Sequence, residues 1–324
     1  MKILRLGIVG CGHIARAHLT ALREVEAFQV VALCDVNVAV AQSLATLVNS
    51  NAPVFDDFGR MTREAKLDAA LVCTPPTTHR DLVCALLEND IAVLCEKPLA
   101  TTIEDARAMQ NCAARHAQWL EPAFKFRFVP AVQAAREIIA RGELGEVRHL
   151  EIAFCAPVEM RGRWNSDVAL SGGGVLMDNG PHAIDLARFL SGEVVKTRAQ
   201  ATFSRDMKVE DNCALLLQMS SGADAHIDLS WSRAHHDEFF LKVRGSHGEL
   251  RVGWTQSQRK TVLGGAWQAW KKGYDKNVAL SAQLRHFAAH IEKQTIDTIV
   301  SSNDGAASIA IVQDAYKTIG ESLR

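Results

Sequence analysis

No run of uncharged apolar residues in this 324-residue chain approaches the ~18 needed to cross a bilayer, so no membrane-spanning helix is expected. No basic block is present, and the formal net charge is -1. A nucleic acid or other polyanion is therefore not expected as a partner. The eight cysteines (Cys11, Cys34, Cys73, Cys84, Cys95, Cys112, Cys155 and Cys213) form no Cys-x-x-Cys and show no Cys/His ligand spacing. That argues against a disulfide framework and predicts no metal site. Small thiols scattered among apolar residues suit a reducing compartment. Met1-Lys2-Ile3-Leu4 leads into a strand-like run with no charged-then-apolar leader, so a cytoplasmic protein is expected. No internal repeat or low-complexity tract appears.

What is present is length enough for two domains, with 48% hydrophobic residues to build their cores. The first half alternates short apolar runs with helical patterns. Strands are expected at Leu4–Val9, Val30–Cys34, Val54-Phe55, Ala69–Cys73, Ile91–Cys95 and Trp119–Glu121. Helices are expected near Ala39–Asn49, His79–Asn89 and Ile103–His116. Buried strands alternating with helices give a doubly wound parallel sheet over residues 1–122. Gly10-Cys11-Gly12-His13-Ile14-Ala15 sits between the first strand and the first helix, the G-x-G-x-x-G/A pattern of dinucleotide binding. Gly10 permits a tight turn, Gly12 admits a pyrophosphate, and Ala15 lets helix and strand pack closely. The first-turn N–H groups at His13 and Ile14 then face phosphate. Asp35 ends the second strand, where a carboxylate accepts from ribose hydroxyls and repels a 2'-phosphate. NAD is thus favoured, with NADP possible; the competing role for Asp35 is a strand-end turn or helix cap.

After Ala123 the pattern changes. Phe124–Pro130 is an aromatic, hinge-like stretch, followed by a helix over Ala131–Ala140 that Gly142 stops. Period-two runs then follow at Val147–Ala156, Val194–Phe203, Asn212–Met219, Ala225–Trp231, Glu238–Val243 and Leu250–Val252. Short Gly turns separate the later ones. This predicts a large open, mainly antiparallel sheet in an α+β domain over residues 123–324. Gly264–Asp275 reads as an irregular, Trp-rich segment, and Ala282–Ile291 and Ala306–Leu323 as closing helices, the last able to pack back on the first domain. His235-His236-Asp237-Glu238 is metal-like in residue type. Contiguous side chains on a strand point to opposite faces, however, so no metal is expected there.

Two stretches carry chemistry. Gly172-Gly173-Gly174-Val175-Leu176-Met177-Asp178-Asn179-Gly180-Pro181-His182-Ala183-Ile184-Asp185 sets three glycines before an Asp, a His and an Asp spaced by four and three. On a helix those three share a face. Pro181 belongs in a first turn, so the helix is expected to start within Asp178–Gly180. The glycines are expected to admit a close approach of ligand to backbone. Cys95-Glu96-Lys97-Pro98 places a lysine at a buried strand end, with the proline stiffening its turn. Blander roles compete: a cap for Asp178, a solvated His182, a loop Lys97 paired with Glu96.

Taken together, Gly10-x-Gly12-x-x-Ala15, Thr74-Pro75-x-x-x-His79, Glu96-Lys97-Pro98 and Gly172–Asp185 resemble, in order and spacing, the Gfo/Idh/MocA oxidoreductases. The resemblance spans nearly the whole chain. It implies hydride transfer between a nicotinamide cofactor and a hydroxyl or keto carbon of a sugar, cyclitol or nucleotide-sugar. It also implies a homodimer or homotetramer formed through the second domain's sheet. The catalytic candidates are Lys97, Asp178 and His182, with Asp185 as support. The cofactor candidates are Gly10, Gly12, His13, Ile14, Asp35, Thr74, Pro75, His79, Glu96 and Lys97. Substrate is expected at Lys97, Arg127, Trp164, Asn165, Asp178 and His182, in a site shared between the two domains. An NAD-assisted glycoside hydrolase is the alternative reaction on this scaffold, and a non-catalytic nucleotide sensor the alternative without chemistry.

Overall fold

The computed structural model describes residues 2–47, 51–204, 207–234, 237–293 and 297–322. The chain divides into two compact units: Met1–Lys125 with Lys276–Ala306, and Phe126–Asp275 with Ala307–Arg324.

The first unit holds six parallel strands, β1 (Leu4–Val9), β2 (Phe28–Cys34), β3 (Val54–Phe55), β4 (Ala69–Val72), β5 (Ala92–Cys95) and β6 (Leu120–Pro122), in the order β3-β2-β1-β4-β5-β6. Every residue of β4 and β5 is buried, as an all-parallel sheet covered by helices requires. The helices are α1 (His13–Leu22), α2 (Val38–Leu47), α3 (Phe58–Glu64), α4 (His79–Glu88) and α5 (Ile103–Arg115). The helix expected to reach Asn49 has that end outside the described residues. The short helix α3 was not foreseen. Asp57 caps it, accepting from the Arg60 N–H at 2.6 Å, and only Met61 of its seven residues is buried, too little for a helical period to show.

The second unit opens with α6 (Pro130–Ala140) and β7 (Val147–Cys155), then the short α7 (Val168–Ser171) and α8 (Val175–Ser191). Seven strands follow: β8 (Val194–Thr202), β9 (Asn212–Met219), β10 (Asp224–Ser230), β11 (Phe239–Gly245), β12 (Glu249–Gly253), β13 (Gln256–Lys260) and β14 (Gln268–Lys272). With β7 they form one sheet, β14-β13-β12-β11-β7-β10-β9-β8, antiparallel except for the β7–β10 pair. Cys213, Leu215, Leu217 and Met219 of β9 are buried, whereas the alternating Ala214, Leu216 and Gln218 are exposed. One face of the sheet thus packs on α8 and the other is open.

Two expectations fail here. Gly264–Asp275 is not wholly irregular, because Gln268–Lys272 forms β14 against β13. These strands read Gln-Ser-Gln-Arg-Lys and Gln-Ala-Trp-Lys-Lys, with no apolar alternation to reveal them. The backbone ladder joins them to β12, and Trp267, just before β14, stacks with its ring 4.1 Å from the Arg251 guanidinium and 4.8 Å from the Lys260 ammonium. The helix expected from Asp178–Gly180 starts at Val175, which leaves Pro181 as its seventh residue, inside the helix. Its early start has a non-local cause, described with the site.

The chain closes with α9 (Lys276–Ile291) and α10 (Ser302–Ser322). The first of these belongs to the first unit and packs on α1: Ser281 Oγ donates to the Ala21 carbonyl at 3.1 Å, and Phe287 stacks on Phe28 at 5.9 Å. No helix among the described residues is long and apolar enough to cross a membrane.

Candidate active site

In the first unit the glycine loop is shaped as dinucleotide binding requires. Gly10 has φ +86°, and a Cβ on it would lie 2.7 Å from the Cys73 carbonyl carbon, so only glycine fits. Gly12, the residue before α1, faces open space: an added Cβ would meet no atom within 4 Å. No side chain caps α1 and no acid sits in its first turn, so the N–H groups around the exposed His13 and half-buried Ile14 keep their positive end for an anion. Asp35 braces this loop: Oδ2 accepts from the Cys11 N–H and Oδ1 from the Asn37 N–H, each at 2.8 Å. A carboxylate has about four acceptor sites, so this half-buried group retains capacity for ribose hydroxyls. The turn role and the ligand role of Asp35 are compatible. The residues present fit an NAD-type dinucleotide.

The ends of β4 and β5 are tied together by His79, and the end of β5 is tied to α1 by His18. His79 was expected at the cofactor, but it is fully buried, with Nε2 2.9 Å from the Thr74 carbonyl and Nδ1 3.0 Å from that of Pro98. Burial holds its pKa below the ordinary imidazole value against the pull of those carbonyls. It ties the half-buried Thr74-Pro75 turn to the Lys97-Pro98 turn, whose peptide bond is cis. Glu96 is likewise 7% exposed and meets His18 Nε2 of α1 at 2.8 Å, while its Oε2 accepts from the Lys97 N–H at 3.2 Å. Burial pushes the Glu96 carboxyl up, yet the hydrogen bond and attraction of His18, with Lys125 and Lys97 nearby, outweigh it and hold the group below its usual range. Both residues brace the half-buried Lys97. His18 was missed by the sequence reading; an ionisable residue on the apolar stripe of α1 was the available signal.

In the second unit Asp178 and His182 sit one turn apart on α8, with Asp185 a further turn along the same face. His182 is 5% exposed, and its ring meets the Phe126 ring edge-on at 5.0 Å. Phe126 belongs to an aromatic cluster with Phe154, Phe240, Trp254 and Tyr274, at centroid distances of 4.7, 5.4, 6.4 and 5.0 Å. The half-buried Asp178 stands one turn nearer the start of the helix.

Asp185 pairs with Arg127. Its carboxylate takes the Arg127 guanidinium in a two-point contact, Nε–Oδ2 at 2.9 Å and Nη2–Oδ1 at 2.6 Å, with both side chains buried. Arg127, expected to touch substrate, is thus engaged below the surface, its guanidinium 4.8 Å from the Phe189 ring. Trp164 and Asn165 lie on a single 3-10 turn, Trp164–Ser166, with the indole 38% exposed and Asn165 half-buried. His235 and His236 lie outside the described residues. Of that motif Asp237 pairs with Lys242 at 2.6 Å.

The three glycines have a packing cause. Gly172 ends α7 with φ +78°. A Cβ on Gly173 would collide with the Tyr316 hydroxyl, and one on Gly174 with the Glu210 carbonyl. Glu210 Oε1 accepts from the Gly174 and Leu176 N–H groups at 3.0 Å each and from Tyr316 at 2.8 Å. A carboxylate from another part of the chain therefore caps α8 and starts it before Pro181. The expected close approach is by protein, and neither Glu210 nor Tyr316 left a local signal near the glycines.

The family model described as the oxidoreductase family with an NAD-binding Rossmann fold matches residues 4–124, and that of the GFO/IDH/MocA C-terminal domain matches residues 132–251. The chain is 28% identical to an inositol 2-dehydrogenase of Rhizobium meliloti over 335 residues, covering 98% of this chain and 97% of that protein. It is 29% identical to a D-apiose dehydrogenase of Paraburkholderia graminis over 259 residues, covering 78% and 68%. The aldose-aldose oxidoreductase of Caulobacter crescentus, solved with glycerol, shares the fold with a TM-score of 0.89 at 24% identity, covering 99% and 98%. With its glycine loop, its Glu96-Lys97-Pro98 turn and both halves matched, this chain belongs to the Gfo/Idh/MocA family of NAD-binding oxidoreductases.

Proposed function

We propose that the protein oxidises a secondary alcohol of a sugar or cyclitol, passing hydride to NAD, or runs the reverse reduction. The observation that carries this is the pairing of Asp178 and His182 one turn apart on α8, with the imidazole held against Phe126. The relatives named above act on inositol and D-apiose, both polyhydroxylated. Bound NAD supplies the acceptor for the hydride. His182 takes the hydroxyl proton as the carbon–hydrogen electron pair leaves and the C–O bond becomes a carbonyl. Lys97 donates to the same oxygen and stabilises its developing negative charge. Asp178 accepts from a neighbouring substrate hydroxyl, and Trp164 and Asn165 line the sugar. Glu96, His79 and Arg127 are positioning residues for Lys97, its turn and α8.

Asp35 selects NAD by repelling a 2'-phosphate, so an Asp35→Ser variant should narrow the preference for NAD over NADP. An unchanged ratio would remove this role. A homodimer or homotetramer is proposed through the open sheet face, where Lys196, Arg198, Leu216, His226 and Lys242 line a shallow depression away from His182. Light scattering on the eluting protein should give two or four chain masses; a monomer at micromolar concentration would refute it. The cysteine usage supports a reducing compartment such as the cytoplasm. The activity itself is tested by NADH formation across a panel of aldoses and cyclitols. Net hydrolysis of a glycoside with NAD unchanged would favour the alternative reaction.

A further inference from the structure

The C-terminal ends of α4 and α5 meet in the first unit and bring three ligand-type side chains together. Glu88 is the last residue of α4 and His116 the cap of α5. The Glu88 carboxylate, the Cys112 thiol and a His116 ring nitrogen offer ligand atoms that all lie within 4.8 Å of one another. Cys84 stands one turn before Glu88, as Cys112 stands one turn before His116, so each helix presents an i, i+4 pair. The two thiols are neighbours: Cys112 Sγ donates to the Cys84 carbonyl at 3.6 Å, and the Cys84 thiol lies close enough to bond with that of Cys112.

We propose that Glu88, Cys112 and His116 form a binding site for a borderline-soft divalent cation of the Zn2+ class, which staples α4 to α5. The ligand set is of the mixed sulfur, nitrogen and oxygen kind that zinc takes. Tetrahedral bonds of about 2.0–2.3 Å place ligand atoms roughly 3.5 Å apart, so closing the cluster needs about an ångström of movement. Glu88, exposed and at a helix end, can supply it by changing rotamer. Two helix C-termini converge here, each carrying about half a negative charge, which favours a cation and opposes an anion. The site lies away from the glycine loop and from Lys97 in sequence. Its role is stability of the first unit rather than hydride transfer.

The test uses the full-length protein after chelator treatment and dialysis, titrated with Zn2+ alone and, separately, with Co2+. Wild type should take up one Zn2+ saturably, and Co2+ should give a thiolate charge-transfer band together with tetrahedral d–d bands. Cys112→Ser and His116→Ala should each weaken binding by roughly 100-fold or more, beyond the 10–100-fold typical of outer-shell changes. His116 is half-exposed at a helix end, so its variant should retain the wild-type circular dichroism spectrum even if Cys112→Ser does not fold. No saturable uptake by wild type, or equal uptake by the folded His116→Ala variant, would overturn the site.

Discussion

Two buried carboxylates set the energetics around the candidate catalytic residues. Asp185 neutralises Arg127 where neither side chain reaches water. Removing one partner strands the other charge, so Asp185→Ala should lower unfolding stability by about 3–5 kcal/mol. Replacing both, as Arg127→Met with Asp185→Leu, should recover most of that loss. Urea unfolding of the three variants checks this, and a cost below ~1 kcal/mol for Asp185→Ala would contradict it. Glu96 carries a pH signature. Its folded pKa is depressed, so its carboxylate, held by the contact with His18, contributes stability above the unfolded value of ~4.3 and loses it as pH falls through the folded value. Wild type should exceed Glu96→Gln by about 1–3 kcal/mol at neutral pH, with the gap closing in acid. A constant gap from pH 7 to pH 3 would show that the contact is not ionic. Sequence spacing placed Asp178, His182 and Asp185 on one face because helical geometry alone decides that. It could not assign Asp185 to Arg127, 58 positions away. The Cys112–His116 pair was passed over in sequence, because Glu88 arrives from another helix and completes no ligand spacing in the chain.

At the scale of elements, α8 is the case where local rules fell short. Pro181 is a sound marker of a first turn when a helix must find its own cap. Here Glu210 and Tyr316 supply the cap, and the helix gains six residues before the proline. Gly174→Ala should therefore cost about 1–3 kcal/mol from overpacking against Glu210. Glu210→Ala should cost about 1–2 kcal/mol from the lost cap and loosen the first turn that carries Asp178. Thermal unfolding reads the first effect, and amide hydrogen exchange at residues 175–178 reads the second. Gly174→Ala with wild-type stability would refute the packing role. The parallel strands were legible because each is a run buried on both faces. In contrast, β13 and β14 were hidden because they lack the apolar alternation that marks a strand.

For the whole molecule, the two-part organisation followed from a change of period at the aromatic stretch Phe124–Pro130: α/β alternation before it, period two after it. The return of α9 to the first unit was not legible, since its helical pattern says nothing about which core it covers. Ser281 and Phe287, which seat it on α1 and β2, look like ordinary helix residues in sequence. In the proposed reaction a polyol is oxidised through Lys97 and His182 with NAD held by the first unit. The most direct measurement is steady-state NADH formation on the best aldose or cyclitol substrate, with NAD affinity measured in parallel. His182→Ala and Lys97→Ala should each lose roughly 10²–10⁴-fold in kcat, and His182→Ala should keep wild-type affinity for NAD. Full turnover in either variant, or tight NAD binding with no reduction across the panel, would contradict the account.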